Sequence, residues 1–157
     1  MSKRLAIERL TTMLSGIRGA ASGYRVDLEG RVYPVLIPPD VEPSVRMPYG
    51  CVVNVGTGTY GDPDSSVIDR TFTLRLMFFL KETSSNRLQS DLAGRLADLE
   101  DDVLRVILLD PTLGGAVKLI RPIAQETASG FVPEEDYGEL VITVELWQIV
   151  DVDSLHV

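Results

Sequence analysis

The sequence predicts a single α+β domain over residues 1–157, a mainly antiparallel β-sheet with two amphipathic helices packed on one face. Three observations lead there. Two stretches, near residues 3–20 and 85–109, repeat apolar residues at helical spacing. Other stretches alternate apolar and polar residues as strands do, and these come in groups between and after the helices instead of alternating singly with them. With 157 residues, 45% hydrophobic and 24% charged, the chain can build an ordinary core without disulfide or metal staples.

The first helix is expected over residues 3–20. Ala6, Ile7, Leu10, Met13, Leu14, Ile17 and Ala21 share a sector at 100° per residue, opposite Arg4, Glu8, Thr11, Ser15 and Arg18. After Gly19 and Gly23, "YRVDLEGRVYPVLI" alternates as two strands around Glu29-Gly30, a hairpin turn in which glycine can take a positive φ. "PPDVEPSVRMP" carries four prolines that cannot donate backbone hydrogen bonds, so a loop follows. "YGCVVNV" has the β-branched enrichment of a strand, and residues 70–80 place Phe72, Leu74, Leu76, Phe78 and Leu80 on one face of the next. The second helix, from about Ser85 to Leu109, aligns Leu88, Leu92, Leu96, Leu99, Val103, Val106 and Ile107, with Ser84 or Ser85 as N-cap and Asp110-Pro111 as terminator. A strand follows Gly114-Gly115, and the last strand buries Leu140, Ile142, Val144 and Leu146, which turns Trp147 outward. The stretches 56–69 and 127–138 read as polar loops, each with an aromatic anchor: Tyr60 in the first, Phe131 and Tyr137 in the second.

Inside the first of these loops, Gly56-Thr57-Gly58-Thr59-Tyr60-Gly61 satisfies the pattern that cradles a dinucleotide's pyrophosphate. That chemistry requires a helix directly after the glycines, with its terminal amides facing the phosphate. Here "DPDSS" and a strand follow, and Asp62, Asp64 and Asp69 add negative charge. The fragment is therefore expected to join two antiparallel strands and to bind no nucleotide. The same aspartates lack the order of a calcium loop, "LADLEDDVLR" reads as the solvated face of the second helix, and Glu134, Glu135 and Asp136 as a solvated turn. His156, the only histidine, is the penultimate residue, so no Ser-His-Asp or Cys-His nucleophile is expected. A single cysteine, Cys51, neither requires an oxidising compartment nor supplies a cysteine zinc site, and no stretch reads as a secretion signal or a membrane span. These readings point away from an enzyme, a cofactor or a metal.

Charge is unevenly placed. Residues 1–31 carry six Lys/Arg against three Asp/Glu, residues 32–157 nine against twenty, and from Glu134 onward there are seven carboxylates and no Lys or Arg. A chain of net charge −8 lacks the cationic surface on which sequence-independent nucleic-acid affinity depends.

The succession of an N-terminal amphipathic helix, a hairpin, a proline-rich loop, two long strands, a helix running into "DPTLGG" and the closing "GELVITVELWQIV" resembles the tail terminator and related tail-completion proteins of long-tailed bacteriophages. "VILLDPTLGGAVKLI", residues 106–120, is its sharpest element. The resemblance implies a virion protein, made in the host bacterial cytoplasm, that forms a six-membered ring at the head-proximal end of the tail. Such a ring stops tube polymerisation and joins the tail to the head connector. It implies contacts with the tail tube protein, the connector and, as a further candidate, the sheath protein, with DNA crossing the lumen without specific binding. Candidate contact residues are Tyr60, Asp62, Asp64, Phe131, Glu134, Glu135, Asp136, Tyr137 and Trp147. Another phage neck or tail-tube component, or a small enzyme or ligand-binding domain, are the alternatives.

Overall fold

The computed structural model describes residues 2–39, 46–64, 66–83, 91–132 and 135–151. It is an α+β fold with a mainly antiparallel five-stranded sheet, as the patterning predicts. Helices α1 (Lys3–Leu14) and α2 (Leu92–Leu109) accompany strands β1 (Val32–Tyr33), β2 (Tyr49–Tyr60), β3 (Val67–Thr83), β4 (Leu119–Val132) and β5 (Glu135–Asp151), in the sheet order β1-β2-β3-β5-β4. The two-residue β1 is parallel to β2, and every other pairing is antiparallel. No helix among the described residues is long and apolar enough to cross a membrane.

Both helices lie on one face. Ala6, Leu10 and Leu14 of α1 and Leu96, Leu99, Val103 and Ile107 of α2 pack on Phe72, Leu74, Leu76, Phe78 and Leu80 of β3 and on Leu140, Ile142, Val144 and Leu146 of β5. The predicted alternation of β3 and β5 is thus the core itself. In β5 the same row continues to Gln148, a fully buried polar residue. Its amide is satisfied on three sides: Nε2 donates to the carbonyls of Ser2 (3.1 Å) and Ala116 (2.9 Å), and Oε1 accepts from Arg70 Nε (2.8 Å). It ties the start of α1 and the corner before β4 to the sheet.

Four expectations change. α1 ends at Leu14 and not near residue 20, because the chain turns to form a strand-like bridge: Leu28 donates its amide to the Ile17 carbonyl and Gly19 to that of Val26. The hairpin around Glu29-Gly30 keeps its turn, with φ of 51° and 73°, but its arms do not pair with each other. The arm before the turn bridges to Arg18, and the arm after it becomes β1 beside β2. α2 begins at Leu92; the expected caps Ser84 and Ser85 lie outside the described residues. The two predicted polar loops are largely strand, since β2 runs on to Tyr60, β3 starts at Val67, and β4 and β5 extend through residues 127–132 and 135–138. β4 is solvated on both faces along residues 124–128, so it carries no apolar alternation to mark it as a strand.

Asp102 also departs from its expected solvated face. It is buried, and its carboxylate accepts from the backbone amides of Arg25 (3.0 and 3.1 Å) and Val26 (2.8 Å). α2 thereby holds the segment that precedes the Glu29-Gly30 turn.

Candidate functional site

Both helices occupy one face of the sheet, and among the described residues no helix lies on the other. At one end of it Tyr49, Cys51 and Phe79 form a small second cluster, covered by Tyr33 and Ile37. Tyr49 donates its hydroxyl to the Ile37 carbonyl (2.6 Å), and the Ile37 amide donates to Cys51 Sγ (3.4 Å). Burial pushes the Cys51 thiol above its ordinary pKa, against the lowering effect of the Ile37 hydrogen bond. A raised thiol pKa leaves little thiolate, the reactive form, so Cys51 is a packing residue.

At the other end the face is open. Cross-strand register sets Thr71, Trp147 and Leu119 in one row, and Thr73, Glu145 and Arg121 in the next. Thr71, Leu119, Arg121, Glu145 and Trp147 line a shallow cleft of about 250 Å³. Trp147 is 40% exposed, Leu119 is similarly exposed, and Arg121 Nη2 reaches Glu145 Oε1 at 3.0 Å. Tryptophan and a neighbouring leucine beside an ion pair have the composition of a protein contact, an apolar centre with a polar rim.

The sheet also has two edges. Among the described residues β4 pairs only with β5, and β2 beyond Cys51 pairs only with β3. Both therefore present backbone donors and acceptors on one side, the template that strand addition uses. The sequence reading names neither edge nor the residues Leu119, Arg121 and Glu145. The signal was Pro122: proline inside a strand is confined to edges and bulges, and here the β4 register shifts between Pro122 and Ala124.

The glycine pattern is a second bulge. Between Asn54 and Gly58 the register of β2 on β3 shifts, Gly56 adopts φ 79°, and its amide donates to Asn54 Oδ1 at 3.0 Å. At Gly58 a Cβ would stand 2.3 Å from the Thr71 carbonyl oxygen, so the glycine serves close strand approach. The next element is β3, which leaves no helix terminus to face a pyrophosphate. Gly58→Ala is accordingly expected to lower stability by about 1–3 kcal/mol through forced separation of the strands. A urea midpoint unchanged from wild type would contradict that role.

The candidate contact residues fall at two ends of the sheet. Tyr60, 69% exposed, is paired with Arg70 at the end that holds Trp147, and Asp62 and Asp64 are exposed in the turn just beyond. Tyr137, also exposed, pairs with Lys81 and Gly130 at the opposite end. Ten residues of β5 separate Tyr137 from Trp147, roughly 33 Å at ~3.3 Å per residue, so they cannot belong to one small site. Phe131, Glu135 and Asp136 have strand backbone in the β4–β5 arm, and Glu134 lies outside the described residues. No cluster of three His, Cys, Asp or Glu among the described residues could hold a metal ion. Comparison with models of known families yields no match, and a search of the curated proteins finds no relative.

Proposed function

We propose that this chain is a structural ring subunit of the tail-terminator kind, which caps the tail tube of a long-tailed phage and joins it to the head connector. The observation that carries this reading is the pair of open sheet edges. Strands β2, β3, β5 and β4 alternate in direction, so β4 runs opposite to β2. A second copy related by rotation about a ring axis brings its own β2 beside β4 in the antiparallel sense. Both helices then stay on one side of a continuous wall, and repetition closes a ring that leaves no edge exposed. The resemblance in element order supports the same reading, and a net charge of −8 suits a lumen that DNA must cross without sticking. In this role the Trp147 cleft and the turn carrying Tyr60, Asp62 and Asp64 are contacts for the tube protein, the connector or the sheath protein.

Hydrogen exchange measured from dilute to concentrated protein tests the mode of assembly. The amides of residues 53–60 and 119–128 are expected to gain protection together as the oligomer forms. An oligomer that protects β4 alone would indicate a two-fold dimer through that edge, and one that protects neither would rule out strand addition.

A further inference from the structure

The two helices cover the sheet unequally. α2 sits over β5, with Leu92 and Leu96 resting on Gly138. On one flank of α2, Arg95 Nη1 donates to the Lys81 carbonyl of β3 (3.1 Å) and Asp102 holds the amides of Arg25 and Val26. The opposite flank looks toward β4, and at 100° per residue it carries Ala93, Ala97, Leu104 and Leu108. Leu108 is 73% exposed, and Ala93 and Ala97 are exposed as well. Below them β4 turns Gln125 and Thr127, the partners of Ile142 and Leu140, to the helix side, and both are exposed. An apolar shoulder of α2 thus overhangs a strip of sheet that no described helix covers.

Toward the other edge, α1 lies against β1 and β2. Its Arg9 Nη1 donates to the Leu113 carbonyl (3.1 Å), which turns that flank toward the corner before β4, so Arg4, Ile7 and Thr11 form the flank that looks out past β2. The first turn of α1 and the last turn of α2 are level on the sheet. Lys3 Nζ stands 5.2 Å from the centroid of the Phe72 ring, Phe72 pairs with Leu146, and Leu146 pairs with Ile120, whose amide donates to the carbonyl of Pro111 just beyond α2. The helices differ in charge: α1 carries three Lys/Arg against one Glu, and α2 two Arg against four Asp/Glu, with Glu100 and Asp101 bordering its apolar flank. No basic residue stands in the last turn of α2, and no acidic one in the first turn of α1.

We propose that the α2 flank of one copy receives the α1 flank of the next, with Ile7 against Leu104 and Leu108 and Arg4 at the C-terminal end of α2. The inference rests on the edge pairing of the ring reading and adds a second, side-chain layer to the same contact. When β2 of the next copy lies beside β4 at the same level, β5, β4 and that β2 are successive strands, so the incoming α1 stands two strand spacings from α2, roughly 9.6 Å at ~4.8 Å each. Helices pack at about 8–10 Å, so the two flanks meet at packing distance. Arg4 gives up only a solvent-exposed pair with Glu8 at 3.8 Å, which is worth little. In exchange it reaches a helix end whose carbonyls favour positive charge and which has no cation of its own. Two α2 flanks placed together would set Glu100 and Asp101 against their own copies, so charge favours the head-to-tail order that a closed ring requires.

Sedimentation of wild type and of single variants tests the helix contact, with hydrogen exchange on β2 and β4 as a separate reading of the edge pairing. Leu108→Glu is expected to weaken association at least about tenfold, through lost burial and a third carboxylate beside Glu100 and Asp101. Leu109→Glu is the matched comparison: the next residue is 68% exposed and shares its flank with Arg105, which lies over the Tyr24 ring, so association as in wild type is expected. Thermal melts of the two dilute variants are expected to coincide, because neither leucine is in the core. Arg4→Glu is expected to weaken association too, and adding Leu108→Arg to it to restore affinity by reversing the sense of the contact. Equal association of Leu108→Glu and Leu109→Glu in an oligomer that protects both edges would overturn the helix contact and leave the strand pairing standing. Protection of neither edge would remove both together, and a double variant no tighter than Arg4→Glu alone would overturn α1 as the occupant of the α2 flank.

Discussion

Leu96→Asp is expected to leave almost no folded protein. Leu96 is 5% exposed, and its side chain packs with that of Leu92 over Gly138 of β5, where an added Cβ would stand 2.9 Å from Leu96 and 3.1 Å from Leu92. The glycine is what lets α2 come down onto the sheet at this point. A carboxylate in that contact loses its hydration and gains no partner from the neighbouring leucines. Burying an unpaired charge costs several kcal/mol, the same order as the ~5–15 kcal/mol that holds a domain together. Soluble yield and the thermal melt measure the effect. Asp98→Ala, two residues along the same helix, removes only a solvent-exposed pair with Arg25 and is expected to shift stability by less than about 1 kcal/mol. Wild-type melting of Leu96→Asp would place the wrong face of α2 against the sheet.

Asp102→Ala has the second largest expected effect. Its carboxylate takes the amides of Arg25 and Val26 in a buried position, and no backbone carbonyl substitutes for it once the side chain is gone. Hydrogen bonds to a charged group and amides left unsatisfied are each worth about 1–3 kcal/mol, so a loss of roughly 3 kcal/mol is expected in urea unfolding. Asp102→Asn, which keeps one acceptor oxygen, is expected to lose less. Asp101→Ala, at an exposed position 3.6 Å from Arg25, is expected to stay within about 0.5 kcal/mol of wild type. Equal midpoints for Asp101→Ala and Asp102→Ala would remove Asp102 from its role as the clamp on residues 25 and 26.

These two residues mark how far the sequence could be read. Leu96 belongs to an apolar stripe, and a stripe at helical spacing states its own burial. The rows of β3 and β5 were legible for the same reason, and Trp147 was placed outward by their alternation. Asp102 looks like its exposed neighbours because the amides that justify its burial lie more than seventy residues away. Gln148 is hidden in the same manner: its three partners come from α1, β3 and the corner before β4. Polar strands were the other blind spot. Along residues 124–128 the edge strand β4 meets water on both faces, so no apolar period distinguishes that stretch from a loop. In residues 24–37 the local turn at Glu29-Gly30 was readable and its partner was not, since pairing was settled by Ile17, Gly19 and β2.

The candidate site was legible in smaller part. Aromatic and acidic residues were found by type, but their distribution over two ends of a long sheet follows from register, which the sequence does not print. The glycine pattern is the clearest instance: its spacing matches a nucleotide loop, while its geometry is a bulge in which Gly56 supplies a positive φ and Gly58 a close approach.

Electron microscopy of the purified protein, alone and mixed with tail tubes, is the most direct test of the proposed role. Closed rings built from identical copies, found singly at tube ends, are the expected result. Rings that stack into continuous tubes would assign the chain to the tube itself, and particles that stay monomeric at high concentration and leave tube ends bare would contradict the ring proposal outright.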